Sequence, residues 1–378
     1  MQARISNVVR IGGFDHVEAV NIGGDFPVVI QTMWKDPLSF SDLEGSAGEQ
    51  VIERIGQLKQ MGCGLLRFAV PDIEAAEVLG RLASMVSMPL AADIHFDYKI
   101  ALRCLDFPIA KVRINPGNIG SRDRVERVLT KAAAGGIPIR IGVNAGSLPR
   151  DLAARADAGE LNPAEALVAA AERELAIFRE FDFSACLVSM KASSVADTLS
   201  ANKLLAERTD APLHIGVTEA GPLIAGVVRN TAALHTLLGE GIGDTLRVSL
   251  SDTMENEIIA GREILNTAVE TSEHARKRSS AMAGKKGVTI VSCPRCGRNS
   301  FDTHGFTRRW QDTLYVLDKD LTIAIMGCAV NGPGEARHAD LGISGAGNKV
   351  LLFRHGKVIR TLDAADADTA FREELDRL

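Results

Sequence analysis

Eight short runs of apolar and β-branched residues recur between Val28 and Ser251, separated by stretches patterned for helices. They are Val28–Met33, Leu65–Val70, Pro89–His95, Ala110–Gly117, Ile137–Asn144, Ala185–Ala192, Pro212–Glu219 and Asp244–Ser251. Strand–helix alternation of this kind implies a parallel sheet with helices outside it, because each parallel connection must cross back over the sheet. Eight units predict an α/β fold closed as a (β/α)8 TIM-type barrel; an open, doubly wound sheet is the alternative. The widest gap holds Asn162–Phe181, an Ala/Glu/Leu-rich helix with Asn162 as N-cap and Pro163 at its first position. Ahead of the first strand, Val8–Gly24 carries a Gly-Gly pair at each end and reads as a hairpin capping the barrel floor.

The alternation fades after residue 270. Residues 271–287 are basic and Ser/Gly-rich, which reads as a linker. A second domain, 288–378, is expected to be α+β, with strands at Val288–Ser292, Thr322–Met326, Val350–Arg354 and Lys357–Thr361. Residues 1–270 are thus the barrel and 288–378 an appended small domain, a division that suits a chain of 378 residues. A formal charge of −5 argues against a generic nucleic-acid binder. No apolar run approaches the roughly 18 residues of a membrane span, and Met1–Val20 has no continuous apolar core of a signal peptide. The expectation is a cytoplasmic protein whose six cysteines are not disulfides.

Strands of a parallel barrel should be almost uniformly apolar. These carry Arg67, Asp93, His95, Arg113, Asn115, Arg140, Asn144, Lys191, Arg247 and Ser249, and the seventh ends on Thr218 and Glu219. Residues two apart on a strand share a face, so Asp93/His95, Arg113/Asn115, Arg140/Asn144 and Arg247/Ser249 each put two polar groups on one side. If that side is the interior, five cations converge on the mouth where barrel enzymes work. Asp93 and Glu219 are too few to offset them, and a multiply charged anion of the phosphate type fits better. No phosphate-binding GxxxxGK[ST] loop occurs, and Gly345-Ala346-Gly347-Asn348 reads as a turn.

Three cysteines cluster late: Cys293-Pro294-Arg295-Cys296-Gly297, then Gly327-Cys328-Ala329-Val330-Asn331-Gly332-Pro333-Gly334-Glu335. A C-x2-C turn offers two thiolates to one centre, and the glycines let loops wrap a cofactor. Cys63, Cys104 and Cys186 fall in or beside barrel elements and read as ordinary buried residues. A zinc ribbon would show a second C-x2-C, which is absent, although His304 or His338 would complete Cys3His. A radical S-adenosylmethionine site would want a third cysteine near the pair. A [4Fe–4S] cluster with three thiolates and a weaker oxygen ligand fits, and spacing alone leaves cluster and zinc both open. The rival class is a zinc-bearing barrel lyase or a phosphate-sugar-binding protein with a structural metal domain.

Ser292–Arg298 and Met326–Ala336 closely resemble segments of the bacterial 4-hydroxy-3-methylbut-2-enyl diphosphate synthases of the non-mevalonate isoprenoid pathway. So do Arg113-Ile114-Asn115-Pro116-Gly117-Asn118-Ile119-Gly120, Gly142-Val143-Asn144-Ala145-Gly146-Ser147-Leu148 and Gly216-Val217-Thr218-Glu219-Ala220-Gly221. The resemblance spans the chain, in the compact form without a large insert domain. It implies a [4Fe–4S] cluster on Cys293, Cys296, Cys328 and Glu335, and two-electron reductive opening and dehydroxylation of a cyclic methylerythritol diphosphate. On that scheme Arg67, Arg113, Arg140, Lys191 and Arg247, with Asp93, Asn115, Asn144 and Ser249, line the substrate site. Glu219 or His95 is the expected proton donor, a flavodoxin or ferredoxin the electron donor, and a head-to-tail homodimer the assembly.

Overall fold

The chain opens with an antiparallel hairpin, β1 (Val9–Ile11) against β2 (Val20–Ile22). Eight strands follow: β3 (Val29–Met33), β4 (Cys63–Ala69), β5 (Leu90–Asp93), β6 (Lys111–Ile114), β7 (Ile139–Asn144), β8 (Cys186–Lys191), β9 (His214–Ile215) and β10 (Thr245–Leu246). They form one parallel sheet in the order β8-β7-β6-β5-β4-β3-β10-β9. A parallel bridge between Val188 and Leu213 joins its two ends, so the sheet is a barrel and the open alternative is excluded. This computed structural model describes residues 4–95, 97–115, 119–275, 287–294, 296–329, 334 and 336–378. The chain divides into two units, Met1–Ala283 and Gly284–Leu378. The expected linker lies mostly outside the described residues. Among those residues no helix is long and apolar enough to cross a membrane.

Alternation decides which side chains enter the barrel. On β7, Ile139, Ile141 and Val143 are buried beneath the helices, while Arg140 and Gly142 face inward. The floor is apolar: Leu65, Ala91 and Leu187 pack against Val9, Ile11, Val17 and Ile22 of the hairpin region, which plugs that end as expected. Each such fully buried aliphatic side chain is worth about 1.5–3 kcal/mol. The long helix in the widest gap, Pro163–Glu180, starts as the sequence predicts. Asn162 Oδ1 accepts from Glu165 N at 2.9 Å, and Glu165 Oε2 accepts from Asn162 N at 2.9 Å.

Strands β9 and β10 pair over only two residues each, shorter than their apolar runs. Just past β9, Gly216 lets the two segments approach closely, since a Cβ there would stand 2.5 Å from the Arg247 carbonyl oxygen. Beyond it Asn230 Oδ1 accepts from Val217 N at 3.2 Å, and the Ala192 carbonyl accepts from Thr218 N at 3.1 Å. Thr218, Glu219 and Ser249 therefore lie past the strand ends, as do His95 and Asn115.

The C-terminal unit is a five-stranded sheet: β11 (Val288–Ser292), β12 (Leu321–Met326), β13 (Leu341–Ala346), β14 (Lys349–Arg354) and β15 (Lys357–Asp363), paired in chain order. The first three are parallel and the last two antiparallel. Helices Thr303–Tyr315 and Ala367–Asp376 bury Phe306, Trp310, Leu314 and Phe371 against Ile323, Ile325, Ile343 and Leu352. Strand β13 escapes the sequence pattern because its glycines look like turn residues. Gly342 is needed there for close approach: a Cβ would stand 2.1 Å from the Phe353 ring. The turn itself is Gly347-Asn348, with Gly347 at φ +67°.

Candidate active site

The barrel interior is lined by basic groups. Asp93 is their hub: Oδ1 accepts from Arg113 Nη1 at 3.0 Å, and Oδ2 lies 3.4 Å from Arg67 Nε. Arg113 Nη2 also donates to the Gly142 carbonyl at 3.3 Å. Arg140, 2% exposed, donates from Nη1 to Ser189 Oγ, while its buried Nε and Nη2 have no hydrogen-bond partner among the described residues. Lys191 is buried beside Gly216, where a Cβ would stand 3.1 Å from its Nζ. The spare edges of Arg67 and Arg247 both point at the sulfur of Met33, a weak acceptor, with Nη2 of Arg67 at 3.2 Å and Nη1 of Arg247 at 3.6 Å.

Burial and the like charges of Arg67 and Arg113 push Arg140 well below the usual guanidinium range. Burial does the same for Lys191, reinforced by Arg67, Arg140 and Arg247, and it brings Arg67 down to about 10. Burial would raise Asp93, but Arg67, Arg113 and Arg140 outweigh it and hold the carboxyl at about 2. Guanidiniums do not release their protons in proteins. Four of them, on Arg67, Arg113, Arg140 and Arg247, meet two buried carboxylates, Asp93 and Glu257. The excess charge is what an anion with several oxygens would relieve.

Four participants, Lys111, Gln31, His214 and Glu257, escape a reading of the sequence. Lys111, fully buried, donates to Gln31 Oε1 at 2.9 Å, and burial and Arg140 push its amine well below the usual range. Its signal was available, since it stands two residues before Arg113 on the same face. His214, also fully buried, pairs with Thr245 below the arginines. Glu257 looks like an ordinary acid of a helix's first turn. Only the fold turns it inward, where it is the second interior carboxylate in place of Glu219. Glu219 itself is exposed, at φ +51°. Among the expected residues, Asn115 is buried, while Asn144 and Ser249 are half-buried. His95 is exposed beyond β5, with Nδ1 3.8 Å from Asp93 Oδ1; burial and the nearby arginines lower its pKa despite that carboxylate.

In the C-terminal unit, Cys293 directly follows β11 and Cys328 follows β12 by two residues. These neighbouring parallel strands release both loops at the same edge. Backbone bonds tie the first loop to β12 and the loop after it, Cys293 N to Ile325 O at 3.0 Å and Ser300 N to Gly327 O at 2.8 Å, while Asn299 N to Cys296 O at 2.9 Å closes a turn within the first loop. All three thiols are free, with Cys328 buried, Cys293 half-buried and Cys296 exposed. Glu335 lies outside the described residues. Among those described, no three His, Cys, Asp or Glu side chains converge closely enough to hold a single metal ion. Three free thiols on two neighbouring loops are a donor set of the kind that soft metal centres take. Cys63, Cys104 and Cys186 are buried, and burial raises their thiols to about 11, 12 and 11.

The family model described as the GcpE TIM-barrel domain matches residues 15–262, and that described as the GcpE protein C-terminal domain matches 289–377. A relative from Treponema pallidum (strain Nichols), named 4-hydroxy-3-methylbut-2-en-1-yl diphosphate synthase (flavodoxin), is 51% identical, covering 97% of this chain and 91% of its own length. Relatives with the same name are 46% identical in Treponema denticola, covering 99% of both chains, and 41% in Geobacter sulfurreducens, covering 98% of this chain and 97% of that one. Matched in both units by its models and nearly end to end by these relatives, the chain belongs to the GcpE family of 4-hydroxy-3-methylbut-2-en-1-yl diphosphate synthases.

Proposed function

We propose that this oxidoreductase converts 2-C-methyl-D-erythritol 2,4-cyclodiphosphate into 4-hydroxy-3-methylbut-2-enyl diphosphate, using two electrons from a flavodoxin or ferredoxin type of donor. The observation that carries the reading is the barrel interior, where, among the described residues, four guanidiniums meet two carboxylates. A cyclic diphosphate brings the oxygens that Arg67, Arg113, Arg140, Lys191 and Arg247 lack, with Asn115, Asn144 and Ser249 available for its polar edges. Cys293, Cys296 and Cys328, with Glu335, would hold a [4Fe–4S] cluster. When bound, that cluster supplies electrons one at a time at the substrate.

Proton delivery falls to the mouth residues. In the bare barrel, burial and the arginines hold the His95 pKa below the ordinary imidazole value. The negative charge of a bound diphosphate raises it again, which favours a transferable proton on His95 with substrate present. Glu219 is the second donor in this reading. We place the enzyme in the cytoplasm as a head-to-tail homodimer, each cluster domain serving its partner's barrel. Mixing Arg140→Ala and Cys328→Ser subunits tests the assembly. One wild-type site re-forms per mixed dimer if catalysis is between chains, and none if it is within a chain. Anaerobic purification tests the cofactor, and turnover of the cyclodiphosphate with reduced flavodoxin tests the reaction. Brown protein with iron, acid-labile sulfide and product is expected; colourless zinc protein without turnover would overturn the reading.

A further inference from the structure

Glu257 is 1% exposed and sits in the first turn of the helix Met254–Thr271. Its two oxygens are filled from two segments of the barrel. Thr32 Oγ1 donates to Oε2 at 2.6 Å, and Lys35 Nζ lies 3.0 Å from Oε1. From the other segment, Arg247 donates through Nε to Oε2 at 3.1 Å and through Nη2 to Oε1 at 3.1 Å. Leu250 N donates to Oε1 at 3.1 Å. One carboxylate thereby ties β3 and its following loop to the loop after β10.

This pattern fixes one edge of the Arg247 fork completely. Among the described residues the remaining Nη1 has the Met33 sulfur alone, beside the charges of Arg67 and Lys191. We infer that Glu257 is a positioning residue for the anion site, orienting Arg247 so that its free edge is presented with Arg67 and Lys191 to the substrate's diphosphate. The inference rests on the diphosphate reading of the barrel. It gives Glu257 a role that depends on geometry and not on charge, and the two make opposite predictions. A carboxylate that only neutralised Arg247 and Lys35 would weaken anion binding, and its removal would tighten it. A carboxylate that pre-orients the fork saves the ordering cost at the moment of binding, and its removal weakens it.

The experiment is calorimetric titration of inorganic pyrophosphate into the full chain, prepared anaerobically, with Arg140→Ala as the control for the site. Glu257→Gln is expected to bind about tenfold more weakly than wild type. Glu257→Asp, which keeps the charge and shortens the reach, is expected to lose affinity as well. In an Arg247→Ala background Glu257→Gln should cost nothing further, because the fork it orients is gone. Unchanged or tighter binding in Glu257→Gln, or wild-type binding in Glu257→Asp, would overturn the inference. If Glu257→Gln does not fold by circular dichroism, Glu257→Asp alone decides. A wild-type protein that binds no pyrophosphate, or an Arg140→Ala variant that binds it as well as wild type, would instead overturn the anion site itself.

Discussion

A Cβ on Gly142 would stand 2.2 Å from Nε of Arg113, and the carbonyl of the same glycine accepts from Nη2 of that arginine at 3.3 Å. The glycine in the β7 run thus makes room for a neighbouring strand's guanidinium and also anchors it. Gly142→Ala must displace Arg113 from Asp93 while leaving the strand's outward face untouched. Substrate affinity is expected to fall about tenfold, with little change in far-ultraviolet circular dichroism. Titration with the cyclodiphosphate checks it; wild-type affinity would mean that Arg113 does not need its place beside Asp93.

Among the described residues, two buried donor atoms of Arg140 have no partner and sit among like charges. Replacing it with Met should remove a desolvated, repelled cation and fill the space with an apolar chain. The bare protein is expected to gain about 1–3 kcal/mol in chemical unfolding while losing anion binding. Stability and function then oppose each other at one position. A destabilised Arg140→Met protein would show that the guanidinium supports the barrel itself.

Asp93 gives the barrel an acid limit. Its carboxyl sits at about 2 in the folded protein, below the ordinary 3.8. A depressed carboxylate contributes stability that is fully present above the unfolded value and is lost as pH falls through the folded one. The contribution, about 2 kcal/mol, is therefore intact above pH ~4 and disappears towards pH ~2. Asp93→Asn should be less stable at pH 7 by at least that amount, since Arg67 and Arg113 lose their counter-charge. It should also show a shallower loss of stability between pH ~4 and ~2. Denaturant unfolding across this range measures both, and parallel pH curves would contradict the assignment.

Cys293→Ser, Cys296→Ser and Cys328→Ser are each expected to abolish iron loading and turnover. Cys104→Ser should leave both near wild type, because its thiol is buried and raised to about 12, beyond the reach of ordinary thiolate chemistry. Iron and sulfide content after anaerobic reconstitution decides. Full loading of Cys328→Ser would remove that residue from the ligand set.

Much of this protein is legible in its sequence because local rules govern it. Apolar runs and helix patterns specify eight strands and the helices between them. Period-two spacing puts Arg140 and Gly142 on one strand face, the face that turns inward to meet Arg113. The Cys293–Cys296 spacing, the second loop at Cys328 and the Asn162 cap are equally local. What the sequence leaves undetermined depends on contacts between distant segments. Barrel closure rests on Val188 meeting Leu213. Strand β13 hides behind glycines whose purpose, contact with Phe353 and the Gly327 loop, exists only in the folded sheet. Glu257 is ten residues from Arg247 and 225 from Thr32, and nothing in its helix pattern marks it for the interior. Its role is set by where β3 and the loop after β10 come together in the barrel wall. Burial then turns an ordinary surface-type carboxylate into the counter-charge that the interior cations require.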